Sequence, residues 1–118
     1  MNTAKVEKGN IFSNIPDTFP EEIFETLLQG KSFRLERILS KGHRSPQDFW
    51  YDQAQDEWVI VLRGRATLRF AKGQDTRDSY DLELGPGDYV LIPSHLKHRV
   101  ERTSESEETV WLAIHYTQ

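Results

Sequence analysis

The sequence predicts an all-β fold, a sandwich or barrel of mostly antiparallel strands preceded by one short N-terminal helix. Three observations carry that expectation. Short runs rich in β-branched and aromatic residues recur along residues 32–116, among them "EWVIVLR", "YVLIP" and "TVWLAIHY". Turn signals containing Gly or clustered polar residues separate them, as in "KGQD", "GPGD" and "TSESEE". The connections are too short to hold crossover helices, so neighbouring strands must run antiparallel.

The elements follow in chain order. Residues 1–10, "MNTAKVEKGN", are polar and charged and read as a loose terminus. The helix is expected over 18–30, in "TFPEEIFETLLQG". Asp17 or Thr18 can cap it, Pro20 suits its first turn, and Glu21 and Glu22 complement its N-terminal dipole. Ile23, Phe24, Leu27 and Leu28 fall on one helical face, and Gly30 is a natural stop. "SFRLERILS" is a mixed apolar and charged run that opens the strand region. "EWVIVLR" leads through a tight turn at Gly64 into "GRATLRF", and "YDLEL", "YVLIP", "HRVER" and "TVWLAIHY" complete the set.

A chain of 118 residues is expected to form a single domain. At this size it buries about two-thirds of its unfolded surface, enough for one core. The formal net charge is -4, with both signs mixed along the chain. That argues against a nucleic-acid binder, which usually shows a basic face. There are no cysteines, so neither disulfides nor thiolate chemistry is available. The N-terminus lacks the apolar core of a signal peptide, and no apolar run has membrane-spanning length. A cytoplasmic protein with no nucleic-acid or membrane partner is therefore expected.

Chemistry enters at "YDQAQDEWVIVLRG", residues 51–64, where Glu57 immediately precedes an apolar run. Side chains alternate along a strand, so Glu57 shares a face with Val59 and Val61. Tyr51 and Gln53 join that face if the strand carries no bulge. A carboxylate among apolar neighbours is costly unless paired, hydrogen-bonded or bound to a cation. His98, at the start of a later strand, is a candidate partner. A carboxylate, an amide and an imidazole on two strands could hold a divalent metal with positions left open. They could equally form a hydrogen-bonded polar cluster in a barrel mouth.

From His43 to Tyr116 the sequence resembles the cupins, small conserved-barrel proteins. Glu57, six residues and Gly64 match the end of the first cupin motif. Gly87, five residues, Pro93-Ser94-His95, Leu96-Lys97 and His98 match the second, with His95 in its second Gly position. The resemblance implies a double-stranded β-helix, or jelly-roll barrel. It also implies Glu57 and His98 as ligands of Fe, Mn, Ni or Zn, with Gln53 as a third through its amide oxygen. The two histidines of the first motif are absent. A three-residue spacer puts Tyr51 and Gln53 in their places; a four-residue spacer puts Trp50 and Asp52 there. The first keeps both in phase with Glu57. Arg102 stands where the second motif ends in Asn. The resemblance further implies a homodimer.

Other residues fit less sharply. His43, in the loop "SKGHRSP", could replace a lost ligand, or be an exposed loop histidine. His115 shares a face with Trp111 and Ala113; if that face is interior, it is an acid/base candidate, as is Tyr51, or else a hydrogen-bonded core histidine. His95 reads as a turn residue, and Asp56 as an outward charge near an Arg. Trp58, Ile60 and Leu62 form a second apolar face that the N-terminal helix or a second subunit could cover. Lys97, Arg99 and Arg102 read as a solvated strand end. Two functions follow: a metal-dependent enzyme acting on a small polar molecule, or a barrel that binds a small-molecule ligand without chemistry.

Overall fold

The computed structural model describes residues 4–118. Met1 to Thr3 of the expected loose terminus lie outside the described residues. Residues 4–10 form no regular element and are exposed.

Eight strands make up the fold: β1 (Ile23–Gln29), β2 (Phe33–Ser40), β3 (Asp56–Arg63), β4 (Ala66–Lys72), β5 (Asp75–Leu84), β6 (Tyr89–Ile92), β7 (His98–Thr103) and β8 (Thr109–Tyr116). They form two antiparallel sheets, one ordered β1-β2-β8-β3-β6 and the other β5-β4-β7. The core lies between them. Val59, Val61, Trp111 and Ala113 come from the larger sheet, and Ala66, Leu68, Phe70 and Leu84 from the smaller. Antiparallel strands wound into two facing sheets of this kind form a jelly-roll barrel.

The helix expected over 18–30 is not present. Its centre is β1, which pairs antiparallel with β2 from Ile23↔Leu39 to Gln29↔Arg34, with one irregularity between Thr26 and Leu28. The hairpin closes where the Gly30 N–H donates to the Phe33 carbonyl. The physical reason is tertiary. A helix this short is marginal in water, whereas pairing along β2 satisfies the backbone of both strands. The apolar set that looked like a helical stripe is split by the change of period. Phe24 reaches the barrel mouth, while Leu27 and Leu28 are left exposed.

β2 does not alternate cleanly because both its faces are covered. The outer face is crossed by the segment before β1, where Arg37 Nη1 donates to the carbonyls of Ile11 and Ser13. Arg37 Nη2 reaches Glu25 of β1 at 2.6 Å. Leu39 on this face is fully buried. A further piece of the terminal segment packs on the β3 end, with the Arg63 guanidinium 4.4 Å from the centre of the Phe12 ring. The apolar outer face of Trp58, Ile60 and Leu62 is half-buried, with Tyr89 set edge-on against Trp58.

Gly64 makes the β3–β4 turn possible. Its φ is +86°, and a Cβ there would lie 2.6 Å from the Thr109 Cα and 2.7 Å from the Glu108 carbonyl. Only glycine combines that backbone angle with that approach.

Candidate functional site

The inward face of the larger sheet carries a row of polar side chains at one end of the barrel. Strand register decides which residues share it. Arg34 of β2 is paired with His115 of β8, and His115 with Glu57 of β3. Glu57 is paired in turn with Ile92 of β6. One step further into the barrel the row is Glu36, Ala113 and Val59, charged at its β2 end and apolar beyond it. The polar row thus sits at the rim of the apolar core.

The alternation expected for β3 holds: Glu57, Val59 and Val61 point inward and are buried, while Trp58, Ile60 and Leu62 are half-exposed. β3 begins only at Asp56, so Tyr51 and Gln53 reach the site from a preceding loop. A single bridge between Tyr51 and His98 fixes that loop, with backbone hydrogen bonds of 2.7 and 3.2 Å in the two directions. Arg99 holds the same loop from beneath. It is buried, not solvated as its sequence context suggested, and its guanidinium donates to the carbonyls of Ser45, Pro46 and Phe49.

These elements enclose a cavity of about 410 Å³. Tyr51, Gln53, Glu57, His98 and His115 all line it, so the structure brings these five candidates together. Trp111 and Val59 contribute apolar wall. Cavities of this size and character suit one small molecule.

Within the cavity Glu57 and His98 face each other across 3.8 Å, from Oε1 to Nε2. That gap is too wide for a hydrogen bond. Both groups are otherwise held. The Gln53 amide nitrogen donates to Glu57 Oε1 at 3.0 Å. His98 Nδ1 lies 2.9 Å from the Leu96 carbonyl, which can only accept. The ring proton therefore sits on Nδ1 in the neutral imidazole, and the lone pair on Nε2 faces Glu57. Tyr51 stacks on the His98 ring with centroids 5.4 Å apart. Burial first, then the charges of Glu22, Glu57 and Glu36, raise the Tyr51 phenol above its ordinary value.

A second carboxylate–imidazole pair stands beside the first. His115 Nε2 lies 2.7 Å from Glu36 Oε1, with both side chains buried. An ionised carboxylate only accepts, so the His115 proton sits on Nε2 and its lone pair on Nδ1. Above it, Trp111 Nε1 donates to Ser40 Oγ at 3.1 Å, and Ser40 donates to Glu22 at 2.5 Å.

Glu36, Arg34 and Glu22 were missed in reading the sequence. For the first two the signal was the one that found Glu57. Arg34 and Glu36 alternate with Ile38, which places charged residues on an apolar face. Glu22 could not be found this way, because it lies outside any strand.

The remaining candidates fall elsewhere. His43 does not line the cavity; it stacks on Phe19, and its Nδ1 accepts from the Lys41 N–H. His95 is an exposed turn residue at φ +64° that bonds Asp52 at 2.7 Å. Asp56 points outward but pairs with no Arg among the described residues; it accepts from the Ser94 N–H and the Gln118 amide.

As oriented, the donors at the site do not complete a metal centre. Glu57 and His98 are two strong donors, but Gln53 presents the donating nitrogen of its amide to Glu57. His115 is turned to Glu36. No group of three or more His, Cys, Asp or Glu capable of holding an ion occurs among the described residues.

Comparison with known proteins bears on this geometry. A family model for the cupin domain matches residues 35–115. The chain belongs to the cupin family. The cupin is 42% identical to a Ralstonia eutropha protein provisionally named a mannose-6-phosphate isomerase, across 96% of this chain and 100% of that one, with a TM-score of 0.87. A cupin superfamily protein of Desulfitobacterium hafniense is 17% identical over 97% of this chain and 94% of that one, with a TM-score of 0.72. Fe(II)-HppE with its alternative substrate (S)-1-HPP is 16% identical over 86% of this chain and 53% of that one, with a TM-score of 0.67. The last two likenesses are of fold alone. No curated protein matches the cupin. Among its described residues no helix is long and apolar enough to cross a membrane.

Proposed function

We propose that the barrel mouth binds one small polar molecule and exchanges protons with it through His98 and Glu57. The observation that carries this reading is the 3.8 Å gap between Glu57 Oε1 and His98 Nε2 inside the cavity. Two acceptors face one another with no donor between them. A ligand hydroxyl placed there would donate to one and approach the other. His98 Nε2 would take the proton, and the Glu57 carboxylate would stabilise the imidazolium that forms. Tyr51 and His115 are the neighbouring acid/base groups. The provisional isomerase name of the 42% identical relative is in keeping with this, because sugar isomerisation moves protons between adjacent carbons and oxygens.

A second reading keeps a divalent metal, Fe, Mn, Ni or Zn, on Glu57, His98 and a turned Gln53 amide. One observation favours it: the Leu96 carbonyl holds His98 Nδ1 as the second nitrogen of a metal-bound imidazole is usually held. The homodimer remains part of the proposal. Its support is the open edge of β1, which ends the larger sheet and leaves Phe24, Leu27 and Leu28 exposed.

A thermal-shift screen of sugars, sugar acids and sugar phosphates, run beside elemental mass spectrometry on chelator-free protein, separates the readings. Wild type, Glu57→Gln and His98→Gln are compared. Stabilising ligands whose effect is lost in both variants, on protein without stoichiometric metal, are expected. Near-stoichiometric metal that drops in both variants would replace the first reading with the second.

A further inference from the structure

We propose that Arg34 is the anchor for an oxyanion, a carboxylate or phosphate group carried by the molecule that occupies the barrel mouth. This deepens the ligand-site reading above and rests on it.

Arg34 is the one Lys or Arg among the described residues lining the cavity. Its position is set by register, beside His115 and one strand further from Glu57. Its Nε is buried and has no hydrogen-bond partner among the described residues. Its nearest carboxylate oxygen, Glu36 Oε2, is 3.6 Å away, and the other oxygen of Glu36 is bonded to His115. A guanidinium offers five donors in a fixed fork, and none of those on Arg34 makes a hydrogen bond to a described residue.

The two buried arginines show the contrast. Arg99 is held by three carbonyls and Glu101. Arg37 also has an unpartnered Nε, but its two terminal nitrogens are held by Ile11, Ser13 and Glu25 on the outer face, away from the cavity. Arg34 alone of the three makes no side-chain hydrogen bond to a described residue, its one ionic contact being Glu36 at 3.6 Å. Its side chain is 40% exposed, so the terminal nitrogens open toward solvent at the mouth while Nε is sealed. The exposed terminal nitrogens can donate side by side to two oxygens of a carboxylate or a phosphate, a charge-assisted pairing that suits the guanidinium fork.

Three carboxylates also line the cavity, and each is already engaged. Glu22 accepts from Ser40, Glu36 from His115, and Glu57 from Gln53. Their remaining lone pairs suit hydroxyl groups, and Trp111, Tyr51 and Phe24 add aromatic wall to the cavity. The recognised class is therefore a small hydroxylated molecule with one anionic end, such as a sugar acid or a sugar phosphate.

The test follows the Arg34 Nε–H resonance by nitrogen-15 NMR during titration with inorganic phosphate, with acetate, and with chloride at matched ionic strength. Neutral mannose is titrated in parallel. The expected result is a saturable shift of the Arg34 signal with phosphate or acetate and none with chloride. Arg34→Gln weakens that anion binding by about tenfold or more, as the loss of a charge-assisted hydrogen bond implies. Arg34→Lys, which keeps the charge and loses the fork, falls between and serves if the Gln variant does not fold. An Arg34 signal that neither anion moves overturns the proposal, as does anion binding that survives unchanged in the variants. Mannose shifting Trp111 and His115 while Arg34 stays still would sink the anchor and leave the ligand site standing; silence from every probe would sink both.

Discussion

Glu57 and His115 are direct cross-strand partners on the inward faces of β3 and β8. Each looks to a different neighbour: Glu57 toward His98, His115 to Glu36. Two carboxylate–imidazole pairs are thereby set side by side in one cavity, held apart by their own partners. That arrangement, and the packing beneath it, leads to four expectations.

Removing one member of the tighter pair leaves the other buried and uncompensated. Glu36→Ala is expected to destabilise the fold by about 1–3 kcal/mol, the cost of leaving the buried His115 Nε2–H without its acceptor. Urea denaturation of wild type and variant measures it. A change below about 0.5 kcal/mol, the size of an ordinary surface substitution, would mean that the pair is not buried as described.

Ser40 joins Trp111 to Glu22 and is itself fully buried. Ser40→Ala leaves the Trp111 indole N–H without its acceptor, at a cost of ~1–3 kcal/mol. Equilibrium unfolding followed by tryptophan fluorescence reads the loss. Ser40→Thr, which keeps the hydroxyl, is the control for packing.

The turn glycines separate two effects. Gly64→Ala meets both a positive φ and the backbone of Glu108 and Thr109, so its cost should exceed the ~1–2 kcal/mol of left-handed strain alone. Gly87 has φ +92° but open space around it, so Gly87→Ala should cost the strain and no more. Equal losses in the two variants would contradict the close approach at Gly64.

Tyr51 gives a pH signature. Its phenol is raised above the ordinary value of 10.0 by burial and by Glu22, Glu57 and Glu36. A folded-state value above the unfolded one means that the folded chain binds the proton longer. The contribution is full below the unfolded value and is lost as pH climbs through the folded value. Wild type should therefore lose stability on the alkaline side, and Tyr51→Phe should lose less. Denaturation midpoints across that range, with tyrosinate absorbance followed alongside, decide it. Identical alkaline slopes would place Tyr51 in open solvent.

Much of the barrel was legible from residues alone. β8 was read to its ends, because "TVWLAIHY" alternates against one buried face and is bounded by polar turns. Parity found the inward Glu57 and its apolar neighbours, and the two spaced motifs found His98. The N-terminal element was misread because its apolar residues satisfy a helical period, and no local feature announces that β2 needs a partner. Arg99 was misread for a similar reason: its charge looked solvated in a short basic run, yet three loop carbonyls bury it.

What the sequence by itself determined were the local quantities: strand period, turn chemistry, the glycine at Gly64 and the buried carboxylate. Backbone sterics and side-chain alternation act over a few residues and leave a local trace. Only the tertiary structure decided what meets in the cavity. It set Arg34, His115 and Glu57 in one row and turned Gln53's amide nitrogen toward Glu57. It also gave His115 to Glu36 and not to His98. Those outcomes depend on strand register between segments about 80 residues apart, as Glu36 and His115 are. Register is settled by the summed pairing and burial of whole strands, and no single residue records it.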